Sequence, residues 1–310
     1  MLPRSSSIRS LLTVATASSV LVAVAGCAPE MTFGSHMGGA NMAELTSIPH
    51  VAVDARLTER LPGEIRTGGI NIATSSNLPP MTFIAPDDKT QVGFDVDMAR
   101  EIGAALGVKT QVSTVGFDTL IPGLQSRRYT MALSSLGITE ERTKVVDFVS
   151  YYSGGQGFLA SRDSQFTVKE LTDLCGHHVA VTTGSTQQST LEDSRHICPD
   201  AGRDPYQLDV FPTTDAAVLA LSSNRTDVLY ASISIVNYTA KQSEKFRIAG
   251  RYKRAPVGVA LPKGSPLTPV VADAVQAIID QGAYRKLLDR WGLTDNAVAK
   301  AEVVTQLPPA

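Results

Sequence analysis

From Gly69 onward, apolar and polar positions switch between two rhythms. "GINIAT" (Gly69–Thr74) has the short, β-branched character of a strand and runs into the loop "SSNLPPM". In "GFDVDMAREIGAALG", Ala99, Ile102 and Leu106 recur on one helical face, with Asp95 as the expected N-cap and Gly107 just past the helix end. "VKTQVSTV" (Val108–Val115) returns to the strand rhythm. "FDTLIPGLQS" (Phe117–Ser126) predicts a second helix capped by Asp118; Pro122 falls near its first turn, where a missing N–H matters least. Toward the C-terminus, Leu267, Val271, Ala274 and Ile278 form one apolar stripe, and Tyr284, Leu287, Leu288 and Trp291 form another. Such stripes are core faces. Strand–helix alternation of this kind predicts α/β units with mainly parallel sheets.

An internal echo adds the architecture. "LQSRRYTMALSS" (Leu124–Ser135) and "LSSNRTDVLYAS" (Leu221–Ser232) share one plan: helix end, basic turn, short apolar strand, terminal serine. The offset is 97 residues at both ends, from 124 to 221 and from 135 to 232. Repetition at that distance predicts two lobes built alike. In a two-lobed α/β protein the ligand sits where loops leave the carboxyl ends of strands, so Ser135 and Ser232 are expected to face each other across a cleft.

Composition narrows the class. The 310 residues, 43% hydrophobic and 19% charged, are enough for about two domains with real cores. A net charge of −2 without a basic stripe argues against a nucleic-acid partner. The first residues stand apart: Arg4 and Arg9 precede an uncharged run from Leu11 to Gly26, which reads as a secretory signal peptide over residues 1–26. It closes on Val24-Ala25-Gly26-Cys27, which resembles a bacterial lipobox with Cys27 as the lipidated residue. Export leaves Cys175 and Cys198 as the only other cysteines, and an exported pair is expected to oxidise. Such a bridge stabilises by ~3 kcal/mol in the chain-entropy model. Metal ligation with His177, His178 or His196 is the weaker rival, because none of the usual ligand spacings is present. Residues 27–63, rich in Met, Gly, Ala and Ser, read as a tether between anchor and domain; "GSHM" (Gly34–Met37) within them is a cloning remnant or chance.

One charged residue raises a question of chemistry. Arg142, in "SSLGITEERTKVVDF" (Ser134–Phe148), sits just inside a predicted helix start, where an added cation is mildly unfavourable. Either it is a surface arginine or ion-pair partner of Glu140, Glu141 or Asp147, or it waits for an anion that the protein does not supply.

The stretches "NLPPMTF", "GFDVDMAREIGAALG", "FDTLIPGLQS", "GITEERTKVVDFVSYY", "DLCGHHVAVTTGSTQQ", "VGVALPKGSPL" and "GAYRKLLDRWGL" together resemble the extracytoplasmic solute-binding proteins of ABC importers for polar amino acids, from roughly Gly63 to Leu293. The cysteine pair is similar to that of actinobacterial members. The resemblance implies lobe one over residues 64–152 plus 254–295, lobe two over 153–253, and a C-terminal tail over 296–310. Two hinge strands would cross near Tyr152–Gly157 and Arg251–Val257, and ligand would close the lobes. It implies that Arg142 grips a ligand α-carboxylate in bidentate fashion, as a planar guanidinium does and a lysine cannot. Ser135 and Thr139 would assist, with Ile138 near the same turn. Thr186 and Ser185 in "TGSTQQ" would form a second carboxylate-binding loop, and Phe117 would pack on the ligand side chain.

The departures matter as much. Carboxylates that commonly hold a ligand ammonium in this family correspond here to Ser232 and Ser75, and expected aromatic positions correspond to Leu78 and Met81. Losing a charge-assisted contact costs ~1.5–3 kcal/mol, about ten- to a hundredfold in affinity. Either another acid takes over, or the guest is a relative of the amino acids, such as a keto, hydroxy or modified form. Other implied properties are a monomer tethered to the outer face of the cell membrane, working with a permease and an ATPase and needing no cofactor or metal. Two alternatives use the same scaffold: a sensor subunit, and a dehydratase acting on prephenate or arogenate. The latter needs a cleft-facing acid or base, and none stands out; G-x-S-x-G, Walker-type and H-E-x-x-H motifs are absent. No catalytic residue is expected.

Overall fold

The computed structural model describes residues 47–307 apart from 49, 76 and 77. The run read as a signal peptide, Cys27 and Gly34–Met37 lie outside the described residues. In chain order the elements are α1 (Ala55–Glu59), α2 (Gly63–Gly68), β1 (Ile70–Thr74), β2 (Phe83–Ile84), β3 (Gln91–Val92), α3 (Phe94–Leu106), β4 (Thr110–Thr114), α4 (Leu120–Gln125), β5 (Met131–Ala132), α5 (Glu140–Thr143) and β6 (Val146–Ser161). There follow β7 (His178–Thr182), α6 (Thr186–Asp193), α7 (Ile197–Asp200), β8 (Gln207–Phe211), α8 (Thr214–Ser222), β9 (Val228–Ser232), α9 (Ile233–Gln242), β10 (Phe246–Pro262), α10 (Thr268–Asp280), α11 (Ala283–Trp291) and β11 (Val303–Val304).

One sheet carries the order β4-β1-β5-β10-β6-β9-β7-β8, with β11 added to β6. Its two flanks are parallel triplets of the same kind. β1 lies between β4 and β5, and β7 lies between β8 and β9, so in each the first strand is central. Between the triplets run the long antiparallel strands β6 and β10, paired from Phe246↔Ser161 to Pro262↔Val146 with three register shifts on the way. This is the two-lobed α/β architecture expected of a protein with two similar halves.

Burial follows the apolar pattern. Met98, Ile102 and Leu106 of α3 meet Val271, Val275 and Ile278 of α10 and Leu287 of α11 in one core. Phe158, Val179, Val181, Leu191 and Tyr230 form another around the disulfide Cys175–Cys198, whose Cα atoms are 5.6 Å apart. The bridge ties the turn after Leu174 to α7. His177 and His178 instead face Asp227 and Asp209.

Three expectations are corrected. Gly93, not Asp95, precedes α3; at φ 129° a side chain there would meet the Met81 carbonyl oxygen at 2.3 Å. Asp95 is wholly buried and bonds elsewhere. Asp118 caps no helix: Phe117–Thr119 is a 3₁₀ turn, and α4 starts after Thr119 with no side-chain cap. The tether is folded where the structure reaches it. Asp54 caps α1, Leu57 and Leu61 are buried, and the Val51 N–H donates to Glu101 Oε2 at 2.8 Å. The spacing of the two leucines gives that segment an apolar edge to bury against α3. Near the other end, the Ser150 N–H donates to the Glu302 carbonyl at 2.8 Å, and β11 pairs with β6.

Candidate functional site

A cleft opens where the loops after β5 and β9 meet the crossing strands. Its lining includes Leu78, Phe117, Ser134, Ser135, Gly137 and Arg142 from one half, and Ser185, Thr186, Gln187, Tyr230 and Ser232 from the other. Tyr152 and Gln156 of β6 form its floor between them. Of the sequence-predicted residues, Arg142, Ser135, Phe117, Thr186, Ser185, Ser232 and Leu78 come together here. Thr139 and Ser75 do not reach the lining. Thr139 is the N-cap of α5, its Oγ1 accepting the Arg142 N–H at 3.2 Å. Ser75 is buried behind the cleft, where its N–H donates to Ser134 Oγ at 3.1 Å.

Arg142 is held by backbone rather than by acids. Nη1 donates to the Gly137 carbonyl at 2.8 Å and Nη2 to the Gly184 carbonyl at 3.0 Å, with the Phe117 ring 5.9 Å away. The second bond spans the two halves. The acids that could have neutralised Arg142 are engaged by lysines: Glu140 and Glu141 by Lys144, and Asp147 by Lys263 at 3.1 Å. Among the described residues Arg142 has no carboxylate partner. Burial accordingly pushes its guanidinium down to about 10 from 12.5. A half-buried cation without a counter-charge is held at a cost, and a bound anion relieves that cost.

Ser135 stands beside Arg142 in a left-handed conformation, φ 49°. That turn is secured from below: its N–H donates to Asp95 Oδ2 at 2.7 Å, while Tyr151 donates its hydroxyl to Asp95 Oδ1. Burial raises the Asp95 carboxyl to about 7. The loop then runs along β10, with the Ile138 N–H on the Pro256 carbonyl at 2.9 Å.

On the facing side, Ser185 caps α6 by accepting the Gln188 N–H at 3.1 Å, which leaves Thr186 at the first helical position. Gln156 Nε2 donates to Thr186 Oγ1 at 3.4 Å, and the Tyr230 hydroxyl donates to Gln156 Oε1. Gly184, φ 73°, brings this loop within contact of Asp118; an added Cβ would meet the Asp118 Cα at 3.1 Å. Ser232 precedes α9 without capping it, and its hydroxyl lies 3.1 Å from that of Ser234.

Sequence reasoning missed Tyr230, Tyr152, Gln156 and Ser134. Two carried a usable signal. Alternation along a strand puts Tyr230 on the same face as Ser232. Gln156 is a lone polar side chain set among Gly154, Gly155 and Gly157 in mid-strand.

Residues 70–294 match the model of the bacterial extracellular solute-binding proteins, family 3. The chain is 28% identical over 230 residues to ABC transporter arginine-binding protein 1 of Escherichia coli K12, covering 72% of this chain and 90% of that one. It is 26% identical over 247 residues to the arginine-binding protein ArgT of Corynebacterium glutamicum, covering 77% and 79%. Among solved structures, an ancestral arginine-binding protein bound to arginine superposes with a TM-score of 0.66 at 30% identity, covering 72% of this chain and 97% of that one.

Proposed function

This chain belongs to the bacterial extracellular solute-binding proteins, family 3, and on that premise we propose that it is the ligand-binding subunit of an ABC importer, taking a small carboxylate-bearing solute, an amino acid or a related metabolite, into its cleft. Family membership implies an extracytoplasmic place of work. The single observation that carries the reading is the Arg142 guanidinium, lining a cleft walled by both halves with no carboxylate among the described residues to neutralise it. A ligand carboxylate supplies the missing charge. It would take both guanidinium nitrogens, with Ser135 on one side and Thr186 and Ser185 on the other.

Two lobes, residues 64–152 with 254–295 and residues 153–253, would close on this guest about β6 and β10. The closed form would be selected because only there do both sets of donors reach one molecule. Phe117 and Leu78 would cover the ligand's carbon skeleton. The protein would act as a monomer held to the membrane through lipid on Cys27 and would hand its ligand to a permease driven by a separate ATPase. The reading as a binder is supported by the relatives named above, which are arginine-binding proteins.

The test is titration calorimetry of ligand-stripped protein against panels of amino acids and organic acids, repeated with Arg142→Leu. Binding by the wild type and its loss in the variant are expected. Equal binding by both proteins contradicts the reading. Metabolic labelling with a fatty-acid probe, absent from Cys27→Ser, tests the anchor.

A further inference from the structure

The proposed function leaves open which carboxylates the cleft accepts, and its lining bears on that. Among the described lining residues the only formal charge is Arg142; no aspartate or glutamate is present. The nearest acids do not serve. Asp95 lies beneath Ser135, 0% exposed, with one oxygen on the Ser135 N–H and the other on the Tyr151 hydroxyl. Asp118 is exposed outside the lining, against the Gly184 backbone, and Asp215 follows Thr214 outside the lining.

The same lining carries a group of hydroxyls. Ser232 and Ser234 lie 3.1 Å apart, and both line the cleft with Tyr152. Tyr152 is 1% exposed, and its hydroxyl, beside Ser234, has no hydrogen-bond partner of ordinary geometry among the described residues. A buried phenol whose one polar neighbour is Ser234, lining a cleft, is placed to meet a guest atom together with that serine. The ten-residue helix α9 also begins here, immediately after Ser232, and its N-terminal end adds positive potential. Hydroxyls can accept from an ammonium but bring no negative charge. A guest ammonium would therefore lose its water in a cleft whose fixed charge is entirely positive. A hydroxyl substituent meets the same hydroxyls as donor or acceptor, and an oxo oxygen meets them as acceptor, without that cost.

We propose that the preferred guest is a monocarboxylate bearing an uncharged oxygen next to the carboxyl, a 2-hydroxy or 2-oxo acid, and not a zwitterionic or cationic amino acid. This rests on the reading of the cleft as a carboxylate-binding site. The carboxylate meets Arg142, and the neighbouring oxygen meets Ser232, Ser234 and Tyr152. The carbon chain lies among Phe117, Leu78, Ile235 and Val257.

The experiment uses matched probes on the ligand-stripped full domain: leucine, phenylalanine and glutamate, each with its 2-hydroxy and 2-oxo counterpart, together with arginine. Mass spectrometry of whatever the native protein releases on denaturation runs in parallel. At least one oxygen-bearing acid should bind about tenfold or more tightly than its amino-acid partner, and arginine should not bind. Ser232→Asp should reverse the preference, whereas the uncharged Ser232→Asn should not. An amino acid that binds as tightly as its counterparts, or a released guest with an ammonium, overturns this inference while leaving the carboxylate-binding reading intact. No binding by any probe, no released carboxylic acid and no effect of Arg142→Leu would overturn both.

Discussion

The two repeated arms of the molecule agree in backbone detail through the turn and into the strand, and then part. In the first, residues 124–135, the Ser126 hydroxyl donates to the Gly123 carbonyl at 3.2 Å and the Arg128 N–H to the same carbonyl at 3.0 Å. In the second, residues 221–232, the Ser223 hydroxyl donates to the Ala220 carbonyl at 3.1 Å and the Arg225 N–H to it at 2.9 Å. Arg127 and Asn224 both stand at φ 56° in the turn. Each arm then enters a parallel triplet of the sheet. At the terminal serine the conformations diverge: Ser135 turns left-handed over a buried aspartate and leads to Arg142, while Ser232 stays extended at φ −63° and leads straight into a helix. The same plan thus delivers a charge from one side and hydroxyls from the other. The scaffold repeats, and the chemistry lies in the residues that follow the repeat.

The largest expected effect separates the charged arm from the neutral one. Arg142→Leu should lower affinity about a hundredfold or more, from loss of two charge-assisted contacts, while Ser232→Ala should lower it less than about tenfold. Calorimetry on both variants checks the order; a reversed order breaks the comparison. The disulfide belongs to one half alone. Cys175→Ser with Cys198→Ser should cost ~3 kcal/mol of stability, read as a lower Tm, and leave affinity nearly unchanged because the bridge is not part of the cleft lining.

A smaller effect concerns Asp95, which secures Ser135. Its carboxyl titrates near 7 in the fold against 3.8 for the ordinary group, so the fold favours the protonated form. That contribution is complete below about pH 3.8 and is lost as pH rises through 7. Asp97 and Asp215, both raised to about 6 by burial, act in the same direction. Thermal melts between pH 5 and 8 should show Tm falling more steeply with pH in the wild type than in Asp95→Asn. The smallest effect compares the two turns directly. Glycine relieves a left-handed residue, and arginine is relieved more than asparagine, so Arg127→Gly should stabilise by up to ~1 kcal/mol and Asn224→Gly by less.

Much of this was legible in the chain. The stripes Leu267–Ile278 and Tyr284–Leu288 are buried because helical spacing places them on one face. The echo at 97 residues announced the doubled scaffold, because a helix end, turn and strand are local structures with local signals. What stayed hidden depends on depth and on distance along the chain. Asp95 at a helix start reads as a cap, and nothing in the local pattern tells a solvated carboxylate from one buried under a tyrosine. Thr139, three residues before Arg142, has the spacing of a cap as well as of a ligand contact; the structure places it as the cap. The Gly184 carbonyl that holds Arg142 lies 42 residues away, beyond any periodicity. Residues 50–61 lack a sustained rhythm, yet Leu57 and Leu61 anchor them.

The most direct measurement is a crystal structure of the protein with the small molecule it retains from its own cells. The predicted result is a carboxylate within hydrogen-bond distance of both terminal nitrogens of Arg142, with Thr186 on its other side. A guest that carries no acid group, or one that leaves the Arg142 guanidinium bound only to the carbonyls of Gly137 and Gly184, would contradict it.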